Sequence, residues 1–251
     1  FGPENVVVQP GGKPTIGKFL AAVMNPGDEV LYPNPGYPIY ESQIEYLGGT
    51  AVPYGYVETA TNFDLDFEAI ERGITAKTRV LILNDLQNPS GAELSTEQRH
   101  QLAKLVREND LYVLCDEAYF DIRYSGASTS FVEEDGMAER TVLLYTFSKR
   151  FAMTGWRLGA SIGPTDVIEV IGKLNVNDES CSNHFVQYGA VEGLRHGQAD
   201  VQRMLATLRE RRDVAAKHLN AIDGVRCVVP NATFYLFPNV TAVMKRKGLD
   251  D

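Results

Sequence analysis

The sequence predicts an α/β fold in which helices cover a mainly parallel sheet. Three observations predict it. Arg79–Asn84 (R-V-L-I-L-N) is a near-continuous apolar run, the pattern of a strand buried on both faces. Leu111–Cys115 and Arg140–Thr146 repeat that pattern. Between the first two lies a helical stretch, Ser95 to about Glu108, opened by the S-x-x-Q form of a capping box (Ser95-Thr96-Glu97-Gln98) and carrying Leu102, Leu105 and Val106 on one face. Strand–helix–strand alternation implies parallel strands joined by right-handed crossovers.

The other elements follow in order. The first residues read as the approach to a helix. Glu29–Tyr32 and Thr50–Tyr54 read as short strands, with a helix over Ile39–Leu47 on the spacing of Ile39, Gln43, Ile44 and Leu47. Beyond residue 165 the pattern turns helical, over Asp166–Val176, Asn183–Arg195 and Gln198–Ile222. The last carries an apolar stripe of Val201, Leu205, Leu208, Ala215 and Leu219. Val225–Val229 and Phe234–Phe237 read as strands split by a Pro230-Asn231-Ala232 turn. Two strands after a long helix suggest a change of role near residue 225, dividing the chain into 1–224 and 225–251.

Composition narrows the function classes. The charge sum is 24 − 33 = −9, an acidic balance that argues against binding nucleic acid or an anionic membrane surface. No apolar run approaches the ~20 residues of a membrane span. The three cysteines, Cys115, Cys181 and Cys227, are widely spaced and form no C-x-x-C pair, so no metal site is expected and a reducing, cytoplasmic setting fits. The chain starts at Phe1 without Met, shows no signal peptide, and ends on an acidic tail. It reads as a piece of a longer protein.

In open α/β sheets ligands sit beyond the carboxyl ends of the strands, so chemistry is sought just after each apolar run. Lys149 follows the third run, among Phe147, Ser148, Phe151 and Trp156. A lysine amine in such a pocket can attack a carbonyl and form a Schiff base; read alone, an ordinary surface lysine is by far the commoner case, and sequence position does not overturn it. Asp116 ends the second run and could face a cationic heterocycle nitrogen, or simply cap a loop. Gly11-Gly12-Lys13 precedes a helix start with Pro14 in its first turn. Backbone N–H groups there suit a phosphate, although the P-loop pattern is absent. Arg157 could pair bidentately with phosphate or lie on a solvated face. Asn88-Pro89-Ser90-Gly91 is turn-rich.

Taken together and in this order, these segments resemble the class I and II aminotransferases, the fold-type I pyridoxal-phosphate enzymes. The motifs are S-K-R-F-A-M-T-G-W-R-L-G at Ser148–Gly159, P-G-Y-P-I-Y at Pro35–Tyr40, N-P-S-G at Asn88–Gly91 and D-E-A-Y at Asp116–Tyr119. The resemblance runs from about Glu4 to Pro238. It implies a three-layer αβα sandwich, the large cofactor-binding domain, with residues 225–251 opening a C-terminal small domain. It implies pyridoxal 5'-phosphate as cofactor, an amino acid and a 2-oxo acid as substrates, and a homodimer. It also implies roles. Lys149 would form the Schiff base and shuttle a proton. Asp116 would face the pyridine nitrogen, and Tyr119 and Asn88 would donate to the ring's 3-oxygen. Tyr37 would stack on the ring. The backbone of Gly12 and Lys13, with Thr146, Ser148 and Arg157, would hold the phosphate. The family often has a cis bond at the position of Asn88–Pro89.

The sequence departs from the family in three places. Asn84-Asp85-Leu86-Gln87 replaces the usual tract before the N-P motif, a tract that can face substrate. No segment before Asp251 matches the family's substrate-carboxylate arginine, and the N-terminal segment that often lends a tyrosine to the neighbouring subunit has no counterpart. A lyase of the same fold, such as a β C–S lyase, would use the same lysine. A cofactor-binding regulator or silent fragment is the non-enzymatic alternative, against which the intact Lys149, Asp116, Asn88 and Tyr119 argue.

Overall fold

The computed structural model describes residues 1–249; the expected acidic end, Asp250-Asp251, lies outside them. A single 3-10 turn at Pro3–Asn5 leads into β1 (Val6–Gln9), and only then does α1 (Lys13–Val23) begin. The expectation that the first residues approach a helix is corrected accordingly. There follow β2 (Glu29–Pro33), α2 (Ile39–Tyr46), β3 (Thr50–Tyr54), β4 (Tyr56–Glu58), β5 (Phe63–Leu65), α3 (Phe67–Gly73), β6 (Thr78–Asn84), α4 (Thr96–Glu108) and β7 (Tyr112–Asp116). The second half comprises β8 (Thr141–Thr146), α5 (Phe147–Arg150), β9 (Gly159–Ile162), α6 (Thr165–Asp178), α7 (His184–His196), α8 (Gln198–Asn220), β10 (Arg226–Cys227), β11 (Pro238–Asn239) and α9 (Thr241–Lys247).

Seven strands form one sheet in the order β1-β9-β8-β7-β6-β2-β3. From β3 to β8 every neighbouring pair is parallel; β9 runs against both of its neighbours. The parallel strands read as continuous apolar runs because both faces are covered. Val80 and Ile82 of β6 pack with α1, α2 and α6, while Leu81 and Leu83 pack with α3 and α4. In β7, Leu114 joins the first layer and Val113 and Cys115 the second. The result is a three-layer αβα sandwich. Burying each large apolar side chain contributes roughly 1.5–3 kcal/mol.

The same alternation points the strand ends. Asn84, Asp116 and Thr146 close β6, β7 and β8 at one sheet edge. Asn84 and Asp116 pair in register. Because β1 is parallel to β8, with β9 reversed between them, its loop Pro10–Gly12 leaves at that edge too.

Two further expectations are corrected. Phe234–Phe237 is not a strand; the strand is Pro238–Asn239, paired with only Arg226–Cys227 of the expected Val225–Val229. The backbone of 231–233 is engaged elsewhere. Thr233 N–H donates to Ile122 O (2.8 Å), and Asn231 O accepts from Tyr124 N–H (2.9 Å). No helix among the described residues is long and apolar enough to cross a membrane.

Candidate active site

At the edge defined by those strand ends lies a cavity of about 330 Å³. Its walls include all ten residues that the resemblance implied for the cofactor: Gly12, Lys13, Tyr37, Asn88, Asp116, Tyr119, Thr146, Ser148, Lys149 and Arg157. They come from five separate loops spread over 146 residues, so convergence in one cavity is a property of the topology.

At one end of the cavity the start of α1 meets β8 and Arg157. At the start of α1, Pro14 has no N–H and Thr15 N–H donates to Gly12 O (3.1 Å), which leaves the N–H groups of Gly12 and Lys13 for an anion. Gly11 adopts φ +95, and a Cβ there would overlap Arg157 Nη2. At Gly12 a Cβ would come within 2.5 Å of Leu144 Cδ2 and 3.3 Å of Thr146 Cβ. The helix start can therefore press against β8 because residue 12 is glycine, while Gly11 leaves room for the Arg157 guanidinium. Arg157, itself at φ +54, is fixed by donating to Thr154 O (2.8 Å) and Pro10 O (3.3 Å). Thr146 Oγ1 caps α5 by accepting from Ser148 N–H at 3.2 Å.

The other end holds a buried acid. Asp116 is only 5% exposed. Its Oδ2 accepts from Tyr40 Oη (2.6 Å) and its Oδ1 from Ala118 N–H (3.0 Å). Burial pushes the Asp116 carboxyl above the usual carboxylate range, while these two donors and the charge of Lys149 pull it back. Burial and the adjacent carboxylate raise the Tyr40 phenol well above its ordinary value, so Tyr40 stays a donor.

Between the two ends stand the side chains that would contact a ring. Tyr37 meets Tyr40 edge to face, with ring centres 5.8 Å apart. Asn84 Nδ2 donates to Asp116 O (2.9 Å), and Asn84 Oδ1 accepts from Asn88 N–H (2.8 Å), tying the Asn88 turn to the end of β7. Both Asn88–Pro89 and Asp85–Leu86 are cis. Of the 84–87 tract only Asn84 lines the cavity. Gln87 is fully buried, donating to Pro35 O and Asn88 O (2.7 Å each) and accepting from Ser90 N–H (2.7 Å). That tract is a clamp between two turns and does not present Gln87 to a substrate.

Lys149 Nζ lies 5.7 Å from the ring centre of Tyr119 and 5.6 Å from that of Phe234. With Ser148 and Thr154 it separates the first cavity from a second of about 540 Å³, walled largely by apolar side chains of α8 and by Phe234. Tyr119 is buried, and its hydroxyl lies 2.6 Å from that of Tyr235. Burial raises the Tyr119 phenol above its ordinary value.

Seven further residues line the cavity, and the four polar ones among them, Tyr40, Asn84, Thr154 and Tyr235, had no role assigned from the sequence. Tyr40 had a usable signal, standing three residues after Tyr37 on a helix start and so on a neighbouring face. Tyr235 had none, being 116 residues from its partner.

The model of the family "Aminotransferase class I and II" matches residues 1–248. The chain belongs to the class I and II aminotransferases. It is 35% identical over 238 residues to the aspartate aminotransferase of Musicola paradisiaca, covering 94% of this chain and 59% of that protein. It is 34% identical to aromatic-amino-acid aminotransferase 2 of Thermococcus litoralis, covering 94% and 61%. Among solved structures it superposes on the N-succinyldiaminopimelate aminotransferase of Mycobacterium tuberculosis with a TM-score of 0.92 and 29% identity, covering all of this chain and 65% of that one. This aminotransferase chain thus spans about three fifths of the length of the relatives it matches. Class I and II aminotransferases use pyridoxal phosphate, and the cavity suits that group: a glycine cradle with a guanidinium at one end and a buried carboxylate at the other.

Proposed function

We propose that this chain binds pyridoxal 5'-phosphate in the smaller cavity, and that the protein it belongs to moves an amino group between an amino acid and a 2-oxo acid. The observation that carries the reading is that Lys149, the glycine start of α1, Arg157 and the buried Asp116 carboxyl all line one cavity.

When bound, pyridoxal phosphate supplies an electron sink for the bond broken at the substrate's α-carbon. The residues of the chain do the rest. The α1 N-terminus, Ser148, Thr146 and Arg157 hold the phosphate, with charge-assisted hydrogen bonds worth roughly 1.5–3 kcal/mol each. Asp116 keeps the ring nitrogen protonated. Tyr119 and Asn88 donate to the ring's 3-oxygen, and Tyr37 covers the ring. Lys149 would hold the cofactor through Nζ, and once the substrate's amine has displaced it, the freed lysine amine would take the proton leaving the α-carbon.

We further propose that residues 225–251 begin a second, smaller domain. In support, β10 and β11 form a sheet of their own after the long α8. A homodimer accords with the exposed apolar side chains Phe185, Tyr188 and Leu194 on α7. A cytoplasmic setting accords with three free cysteines.

The test is absorbance of the purified protein with added pyridoxal phosphate. Wild type should show a visible band that Lys149→Ala lacks; identical spectra would overturn the assignment. With substrate, a 2-oxo acid and aminated cofactor are expected. Release of sulfide, ammonia and pyruvate would point to a lyase instead.

A further inference from the structure

The pairing of Tyr119 with Tyr235 is held from both sides. The segment carrying Tyr235 is stapled to the loop that follows Tyr119. Thr233 N–H donates to Ile122 O (2.8 Å), Tyr124 N–H to Asn231 O (2.9 Å) and Ser125 Oγ to Asn231 Oδ1 (2.6 Å); Tyr124 Oη also donates to Thr233 O. Thr233 is fully buried at φ +62, and its Oγ1 accepts from Tyr235 N–H (3.2 Å), which fixes where the Tyr235 ring departs. The two rings meet edge to face at 5.4 Å. Both side chains line the smaller cavity.

Two phenols 2.6 Å apart share one hydrogen bond, leaving one of the two protons free. When Tyr235 donates, Tyr119 keeps its own proton for an acceptor in the cavity. Accepting one hydrogen bond strengthens a hydroxyl as donor in the next, because bonds in a chain polarise one another. Tyr119 alone would divide its donation among whatever acceptors lie near.

We infer that Tyr235 is a positioning residue that acts through Tyr119, donating to its hydroxyl so that the Tyr119 proton points at the oxygen substituent of the cofactor ring. This rests on the cofactor reading above. Nothing is required of Tyr235 toward the substrate itself.

The experiment is a pH titration of the visible band of the cofactor-loaded protein for wild type, Tyr235→Phe, Tyr119→Phe and the double variant. Phe keeps the ring packing and removes only the hydroxyl. With the relay broken, Tyr119 stabilises a negative ring oxygen less well, so the midpoint in Tyr235→Phe should rise by ~0.5 pH unit or more, about threefold in proton affinity. In the Tyr119→Phe background the Tyr235→Phe change should add nothing, as for two groups acting as one unit. An unshifted midpoint in Tyr235→Phe, or the same shift with and without the Tyr119 hydroxyl, overturns the inference. In both of those cases the band is present, so the cofactor reading stands. A wild type with no band at all sinks both.

Discussion

Tyr40 donates its phenolic proton to Asp116 Oδ2 at 2.6 Å, across 76 residues of sequence and inside the core layer that joins α1 and α2 to the sheet. The same ring takes part in hydrophobic packing and in holding the acid of the site. A hydrogen bond to a charged group contributes roughly 1.5–3 kcal/mol. In Tyr40→Phe the Asp116 carboxyl loses its side-chain donor and shifts further up. Affinity for pyridoxal phosphate should fall about tenfold or more, at ~1.4 kcal/mol per tenfold. Equilibrium titration measures it, and an unchanged dissociation constant counts against the role of Tyr40.

Asp116→Ala removes the carboxylate itself. Weak cofactor retention on gel filtration and little turnover in the full-length enzyme are expected. Near-normal turnover would falsify the pairing of Asp116 with the ring nitrogen.

Gly12→Ala is a steric prediction. The new Cβ would sit 2.5 Å from Leu144 Cδ2, so α1 must move away from β8. Overpacking of this kind costs roughly 1–3 kcal/mol. The cradle should suffer most, so pyridoxal phosphate should bind at least ~10-fold more weakly while pyridoxal, which lacks the phosphate, is little changed. Equal losses for both ligands would place the anion elsewhere.

Glu117 provides a pH prediction away from the cavity. It is buried on the opposite face of the sheet from Asp116, beside Cys115, and Ser130 Oγ donates to its Oε1 at 2.5 Å. Burial pushes its carboxyl from 4.5 to about 7. The folded state then binds a proton that the unfolded state has released. Stability contributed by that proton is present below pH 4.5 and is lost as pH rises through about 7. Melting curves should show Glu117→Gln losing less stability than wild type between those values. Parallel losses would assign the pH dependence to other groups.

The sheet and the motif-bearing loops were legible in the sequence because two-faced burial writes itself as unbroken apolar runs, with polar residues marking where each strand stops. Asp116 closes β7 and Lys149 follows the end of β8, while Arg157 stands just before β9. Two strands, β1 and β9, were not legible. V-V-V-Q of β1 is too short to show a period, and G-A-S-I of β9 is made mostly of small residues. Phe234–Phe237 misled for the opposite reason: its apolar residues look like a strand, yet they serve the cavity and the loop after Tyr119. Tyr235 was invisible as a site residue because its role depends on a partner distant in sequence.

That distance has a consequence for how the cavity comes into being. Tyr40 reaches Asp116 across 76 residues, Tyr235 reaches Tyr119 across 116, and Arg157 reaches Pro10 across 147. No short stretch of the chain can build any part of it alone, and closing such long loops is paid in entropy before any contact returns it. The pocket is therefore among the last things to exist as the chain organises. Uptake of pyridoxal phosphate becomes a reporter on the completed sheet, and its release an early sign of that sheet coming apart.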